Sequence, residues 1–156
     1  MTQFPAITEL IPHRFGMVLL ERVLSVQDET LCAEALITDS GLFFDAQSNE
    51  VGAWLGIEYM AQAIAAFEGY AALLRNEAVK VGFLLGSRHY ESYCSGFAPG
   101  TVLHVEVHRV LLHENGLGAF ECRIADAANG TVLAKATVTV FKPDNVHSFL
   151  KNTDQE

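Results

Sequence analysis

Apolar residues follow two different rhythms along this chain. From Val51 to Leu74 they run almost unbroken, with Glu58, Gln62 and Glu68 as the interruptions. Elsewhere they alternate with polar residues: TLCAEALI from Thr30, TVLHVEVHRVLLH from Thr101, GAFECRIAD from Gly118 and TVLAKATVTVF from Thr131 to Phe141. A period of two marks strands with one covered face, whereas an apolar run too long for a strand reads as a helix. MVLLERVLSV from Met17 and VKVGFLLGSRHYESY from Val79 add two more β-rich segments. Gln27-Asp28-Glu29, Ala98-Pro99-Gly100, Glu114-Asn115-Gly116 and Ala128-Asn129-Gly130 punctuate the series, and both Asn-Gly pairs signal tight hairpins.

The pattern predicts two antiparallel strands, a helix over Val51 to Asn76 capped by Ser48 or Asn49, and then four strands in a meander. That is an α+β plan. A helix apolar on nearly every side needs more than one partner helix to cover it, and a curved antiparallel sheet wrapped around it meets that need. The 156 residues make one domain, 1–156, with its core over about 11–141 and a polar tail over 142–156.

Charge narrows the function. Nineteen acidic residues against ten basic give −9, which disfavours nucleic acid and anionic lipid as partners. The carboxylates within 51–74 argue for a buried helix and against a membrane span. Cys32, Cys94 and Cys122 are odd in number and scattered, so free thiols in a reducing compartment are expected. With no basic and apolar leader at Met1 to Leu10, the expected location is the cytoplasm.

Candidate chemistry centres on Glu58, because a carboxyl inside the most apolar segment of a chain needs a reason to be there. Gln62 lies one turn on, on the same face, and Ala61, Ala65 and Gly69 continue a small-residue stripe with room for a substrate. The bland alternative is a structural carboxylate that satisfies loop amides. His104, Glu106 and His108 share a strand face, but Leu103, Val105 and Val107 form its apolar counterpart, so the polar set reads as the solvated side of the sheet and no metal is expected. No GxSxG, GxxxxGK[ST], HExxH or complete dinucleotide fingerprint occurs, and no cofactor is expected.

Three segments resemble one enzyme family. Ile11-Pro12-His13-Arg14 with Met17-Val18-Leu19-Leu20-Glu21-Arg22-Val23 resembles the LPHR…LLVDRV opening of 3-hydroxyacyl-acyl-carrier-protein dehydratases. Gly56-Ile57-Glu58-Tyr59-Met60-Ala61-Gln62-Ala63 resembles their IEAMAQA helix, and Ala98-Pro99-Gly100-Thr101-Val102-Leu103 their VPGDQL turn. Leu85-Gly86-Ser87-Arg88 and Glu58 to Gln62 are similar to the dehydratases encoded with aryl-polyene clusters. The resemblance implies a hot-dog fold and dehydration of 3-hydroxyacyl thioesters on an acyl carrier protein, in fatty-acid or aryl-polyene type biosynthesis. Glu58 would be the acid, and amides at the helix N-terminus near Gly52 would polarise the thioester carbonyl. It also implies a homodimer or a heterodimer with a paralogous dehydratase, joined around Phe83 to Tyr93. Arg14 and Arg88 fall in segments placed near the substrate tunnel, and with Arg75 and Lys80 they are nominated as a positive rim for the carrier.

One departure stands against these matches. The family's His-Phe-Pro-Gly loop carries a histidine 14 positions before the helix glutamate, and here that position is Phe44, in Phe44-Asp45-Ala46-Gln47. Dehydration needs a base as well as an acid. His13 is the tentative substitute, with a structural role as its alternative and His89 as a third candidate. Two further readings stay open: a partner subunit without complete chemistry of its own, and an acyl thioesterase in which Glu58 and Gln62 position a water.

Overall fold

The structure, a computed structural model, describes residues 3–13, 15–78 and 83–141. Strands β1 (Arg22–Gln27) and β2 (Thr30–Leu36) form a hairpin whose turn places Asp28 at φ 55°. A short helix α1 (Ile7–Leu10) precedes them. The turn-rich stretch before the long helix holds two small strands, β3 (Phe44–Asp45) and β4 (Glu50–Gly52). The long helix α2 (Gly56–Leu74) comes next, followed by β5 (Phe83–Ser92), β6 (Gly96–Phe97), β7 (Val102–Leu112), β8 (Leu117–Asp126) and β9 (Val132–Phe141).

The main sheet is antiparallel, in the order β1-β2-β7-β8-β9-β5, and β3-β4-β6 form a second, small sheet. Both Asn-Gly hairpins are present, with Gly116 at φ 94° and Gly130 at φ 75°. The four-strand meander is corrected: only β7, β8 and β9 follow one another, and β5 lies beyond β9. The reason is occupancy. β2 takes one edge of β7 and β8 takes the other, so β5 cannot lie beside β7 and pairs instead with the far side of β9.

The helix boundary is also corrected, because the expected start at Val51 falls in β4. Val51 pairs with Phe44 on one side and Phe97 on the other, and a single 3-10 turn over Ala53–Leu55 separates the strand from α2. Asn49, expected as a cap, sits instead in the β3–β4 turn at φ 56°. At the far end Asn76 adopts φ 56° while its amide and that of Glu77 bond the carbonyls of Leu73 and Ala72, a left-handed stop in place of a further turn.

No residue of α2 from Gly56 to Ala72 is fully exposed. One side of the helix meets the inward residues of the sheet, Leu31, Ala33, Leu103, Val105, Val107, Phe120, Ile124, Ala134 and Val138, all buried, and Phe67 meets Phe120 edge to face at 5.8 Å. The opposite side is covered by the N-terminal segment. A Cβ at Gly69 would overlap the Leu10 carbonyl, so the stripe expected to leave room for substrate is filled there by α1. Arg109 ties three elements together: its guanidinium pairs with Glu29 at 2.6 Å and Glu68 at 3.7 Å and lies over the Phe67 ring. Among the described residues no helix is long and apolar enough to cross a membrane.

Candidate active site

Glu58 stands in the first turn of α2, and Gln62 follows it one turn later on the same face. Gln62 is fully buried, and a buried amide must find partners at both ends. Its Oε1 accepts the Leu19 N–H at 2.9 Å, while its Nε2 donates to the Met17 carbonyl at 2.7 Å and to Glu58 Oε1 at 3.1 Å. A backbone N–H can only donate and a carbonyl can only accept, so these two neighbours fix which end of the amide faces Glu58. Gln62, expected on the substrate-binding face beside Glu58, thus braces the loop before β1 against the carboxylate.

His13 reaches the same oxygen, with Nε2 at 3.3 Å from Glu58 Oε1. Residues 45 positions apart in the chain thus meet because the N-terminal loop is pinned onto α2 through Met17, Leu19 and Leu10. Two nitrogens converge on Oε1, which leaves Oε2 as the oxygen outside these contacts. The Glu58 side chain is 30% exposed and that of His13 27%, so the pair opens to solvent and is less enclosed than the apolar sequence around Glu58 suggests.

The place of the missing loop histidine holds no titratable group. Phe44 is half-buried against the core, opposite Val51, and the exposed Asp45 turns its carboxylate to the Gln47 amide at 2.9 Å. His89 is excluded from the cluster by geometry. It stands at φ 57° in a β5 irregularity between Arg88 and Glu91, exposed beside Glu106, His108 and Arg123 on the side of the sheet away from α2. On that side His108 Nδ1 meets Thr30 Oγ1 at 2.7 Å and Glu106 pairs with Arg123 at 3.2 Å, the solvated face expected from the alternation.

Gly52 ends β4 opposite Gly96 and starts the 3-10 turn rather than a helix, with the Trp54 indole folded over it. The next amide, that of Ala53, is given to the Ser95 carbonyl at 3.0 Å. In the 3-10 turn the amides of Leu55 and Gly56 bond back three residues, which singles out the Trp54 amide as the one the turn itself leaves without an acceptor. That amide lies two residues beyond Gly52, the position near which the resemblance leads one to expect a polarising donor.

Arg14, Lys80 and the side chain of Arg88 lie outside the described residues. Arg75 caps α2 and pairs with Glu77 at 3.2 Å; at 1.5 Å rise per residue it is about 26 Å along the helix from Glu58, too far to share a rim with it. All three cysteines are free thiols. Burial, with help from Glu106, pushes Cys32 up to about 11, and burial with Glu121 pushes Cys122 up to about 12. Sequence reasoning missed Tyr90, whose hydroxyl donates to the Ala53 carbonyl beneath the start of α2. Strict alternation gave no signal for it, since only the break in β5 turns it inward.

Against known proteins, the family model for ApeP-like proteins, described as ApeP dehydratase, matches residues 5–151. The chain is 28% identical, over 86% of its length and 91% of the relative's, to a 3-hydroxyacyl-[acyl-carrier-protein] dehydratase FabZ of Pseudothermotoga lettingae. It superposes on a chain of the dehydratase heterocomplex ApeI:P from Xenorhabdus doucetiae with TM-score 0.86 and 30% identity, covering 97% of this chain and 99% of that one. The PaaI protein of E. coli, at 12% identity and TM-score 0.57 over 77% of this chain and 81% of its own, shares the hot-dog fold.

Proposed function

The chain belongs to the ApeP-like dehydratase family, and from that premise we propose that it is the acid-bearing half of a dehydratase whose base comes from a second, paralogous hot-dog chain. The substrate is a 3-hydroxyacyl thioester carried by an acyl carrier protein, the substrate class in the name of the Pseudothermotoga relative. The base on the partner takes the proton from the carbon next to the thioester carbonyl. The electron pair moves to form the C2–C3 double bond, the C3–O bond breaks, and Glu58, as the acid, gives a proton to the departing hydroxyl, releasing water and an enoyl thioester; solvent exchange returns the proton taken by the base and resets the pair. The Trp54 amide at the head of α2 stabilises the charge that builds on the carbonyl oxygen between these events.

The observation that carries this reading is the convergence of His13 Nε2 and Gln62 Nε2 on one oxygen of Glu58. A base must offer the substrate an accessible lone pair, and the Nε2 of His13 faces Glu58 while its Nδ1 is buried. His13 is then a positioning residue, and the base has to come from elsewhere because Phe44 stands in the loop position. The ApeI:P heterocomplex gives the assembly a precedent in a relative 30% identical to this chain. Arg14 and Arg88 remain the proposed carrier-facing cations.

The test of the reaction class pairs this chain with its partner and offers 3-hydroxyacyl and saturated acyl thioesters. Enoyl product from the first and no free thiol from the second supports dehydration. Thiol release from the saturated substrate would make it a thioesterase instead.

A further inference from the structure

A break in β5 re-aims one side chain. Arg88 lies opposite Thr137 and Glu91 opposite Lys135, so two residues, His89 and Tyr90, stand across from the single Ala136. In a regular strand Tyr90 would share a face with Arg88. The extra residue is taken up by His89 at φ 57°, a conformation that costs a residue with a Cβ about 1 kcal/mol or more, and Tyr90 is thereby turned toward α2. Strained bulges persist where the surrounding structure holds them, and they concentrate near functional sites.

Tyr90 arrives at one place only. Its hydroxyl donates to the Ala53 carbonyl, and its ring fills the space beside Gly56, where a Cβ would overlap it. The Ala53 carbonyl also accepts the Gly56 N–H, so two donors act on the same peptide unit. That unit is the one whose nitrogen is the Trp54 amide. Hydrogen bonds at a peptide carbonyl polarise the whole amide and strengthen its own N–H as a donor. Burial and the nearby Cys94 push the Tyr90 phenol up, so its hydroxyl keeps the proton it donates.

We propose that Tyr90 is a positioning residue for the dehydration step: through the Ala53 carbonyl it orients and polarises the Trp54 amide that holds the thioester oxygen. The proposal rests on the function proposed above and adds a residue from β5 to it. Gly56 belongs to the same device, because no other residue lets the ring approach the turn so closely.

The test has two readouts. The first uses the full chain alone and records the amide 15N shift of Trp54, which responds to hydrogen bonding at the carbonyl of its own peptide unit. Tyr90→Phe and Gly56→Ala should each move that resonance while leaving the resonances of β1 and β2 in place. An unmoved Trp54 resonance in Tyr90→Phe overturns the proposal. The second uses the chain assembled with its partner: Tyr90→Phe should lower kcat roughly tenfold, as the loss of one hydrogen bond can, with KM within about twofold. A kcat within twofold of the parent, or a KM rise that accounts for the loss, overturns it as well. Glu58→Gln, run in parallel, should abolish turnover with the Trp54 resonance unmoved. Full turnover in that variant sinks the proposed function, and a Tyr90→Phe defect in kcat would still stand as a separate result.

Discussion

At the scale of single residues, Glu58, His13 and Gln62 form one unit, and its members should not act independently. Glu58→Gln keeps the shape and the hydrogen-bonding capacity of the site but removes the transferable proton, so it should fold normally and lose at least about a hundredfold in turnover. His13→Ala removes one of two contacts to Oε1 and should cost roughly tenfold. Because His13 acts through Glu58, the double variant should be no worse than Glu58→Gln alone, and additive losses in kcat would mean that His13 touches the substrate itself. The cysteines give a pH prediction. With Cys32 up to about 11 and Cys122 up to about 12, on the order of one thiol in a thousand or fewer is thiolate at pH 8, so alkylation followed by mass spectrometry should spare both in the native protein and modify them as the pH rises or after urea. Glu58 was legible in the sequence because a carboxylate interrupting an apolar run is conspicuous. The role of Gln62 was not, since its partners are backbone groups of Met17 and Leu19 that no residue type encodes.

At the scale of elements, the alternation in β2, β7, β8 and β9 placed the covered faces correctly, because side-chain period and strand pleat are the same property. It could not say which strand lies beside which: β2 and β8 occupy both edges of β7, and β5 pairs with β9 instead. The start of α2 was missed because Val51 suits a helix and a strand equally, and its pairing with Phe44 and Phe97 decides for the strand. The same contacts make a prediction about α1. In Gly69→Ala the new methyl meets the Leu10 backbone, with the carbonyl carbon at 2.9 Å, and backbone cannot swing aside as a side chain can. Urea denaturation should show a loss of about 1–3 kcal/mol. Gly86→Ala, where a Cβ meets nothing within 4 Å, should change stability by less than about 0.5 kcal/mol, and equal losses in the two variants would remove the α1–α2 contact from the account.

At the scale of the molecule, the sheet ends on β5, a ten-residue strand that among the described residues is paired on its β9 side only. Long unpaired edges are templates for another chain, so the protein should be at least dimeric by light scattering at micromolar concentration, with a monomeric mass speaking against any shared site. Tyr90 stands on that strand, which links the edge where a second chain would join to the head of α2. A net charge of −9 means that an acidic carrier must be met by local cations, and raising ionic strength should slow carrier-bound substrate more than a small thioester analogue. The central claim is that this chain supplies an acid and borrows a base. It is tested most directly by complementation: enoyl-thioester formation is measured for this chain alone, for a partner dehydratase that keeps its loop histidine but has lost its own acid, and for the two together. Neither protein alone should give product, and the mixture should, with the product lost again when Glu58→Gln replaces the parent chain. Robust product from this chain alone, or none from the mixture, would contradict it.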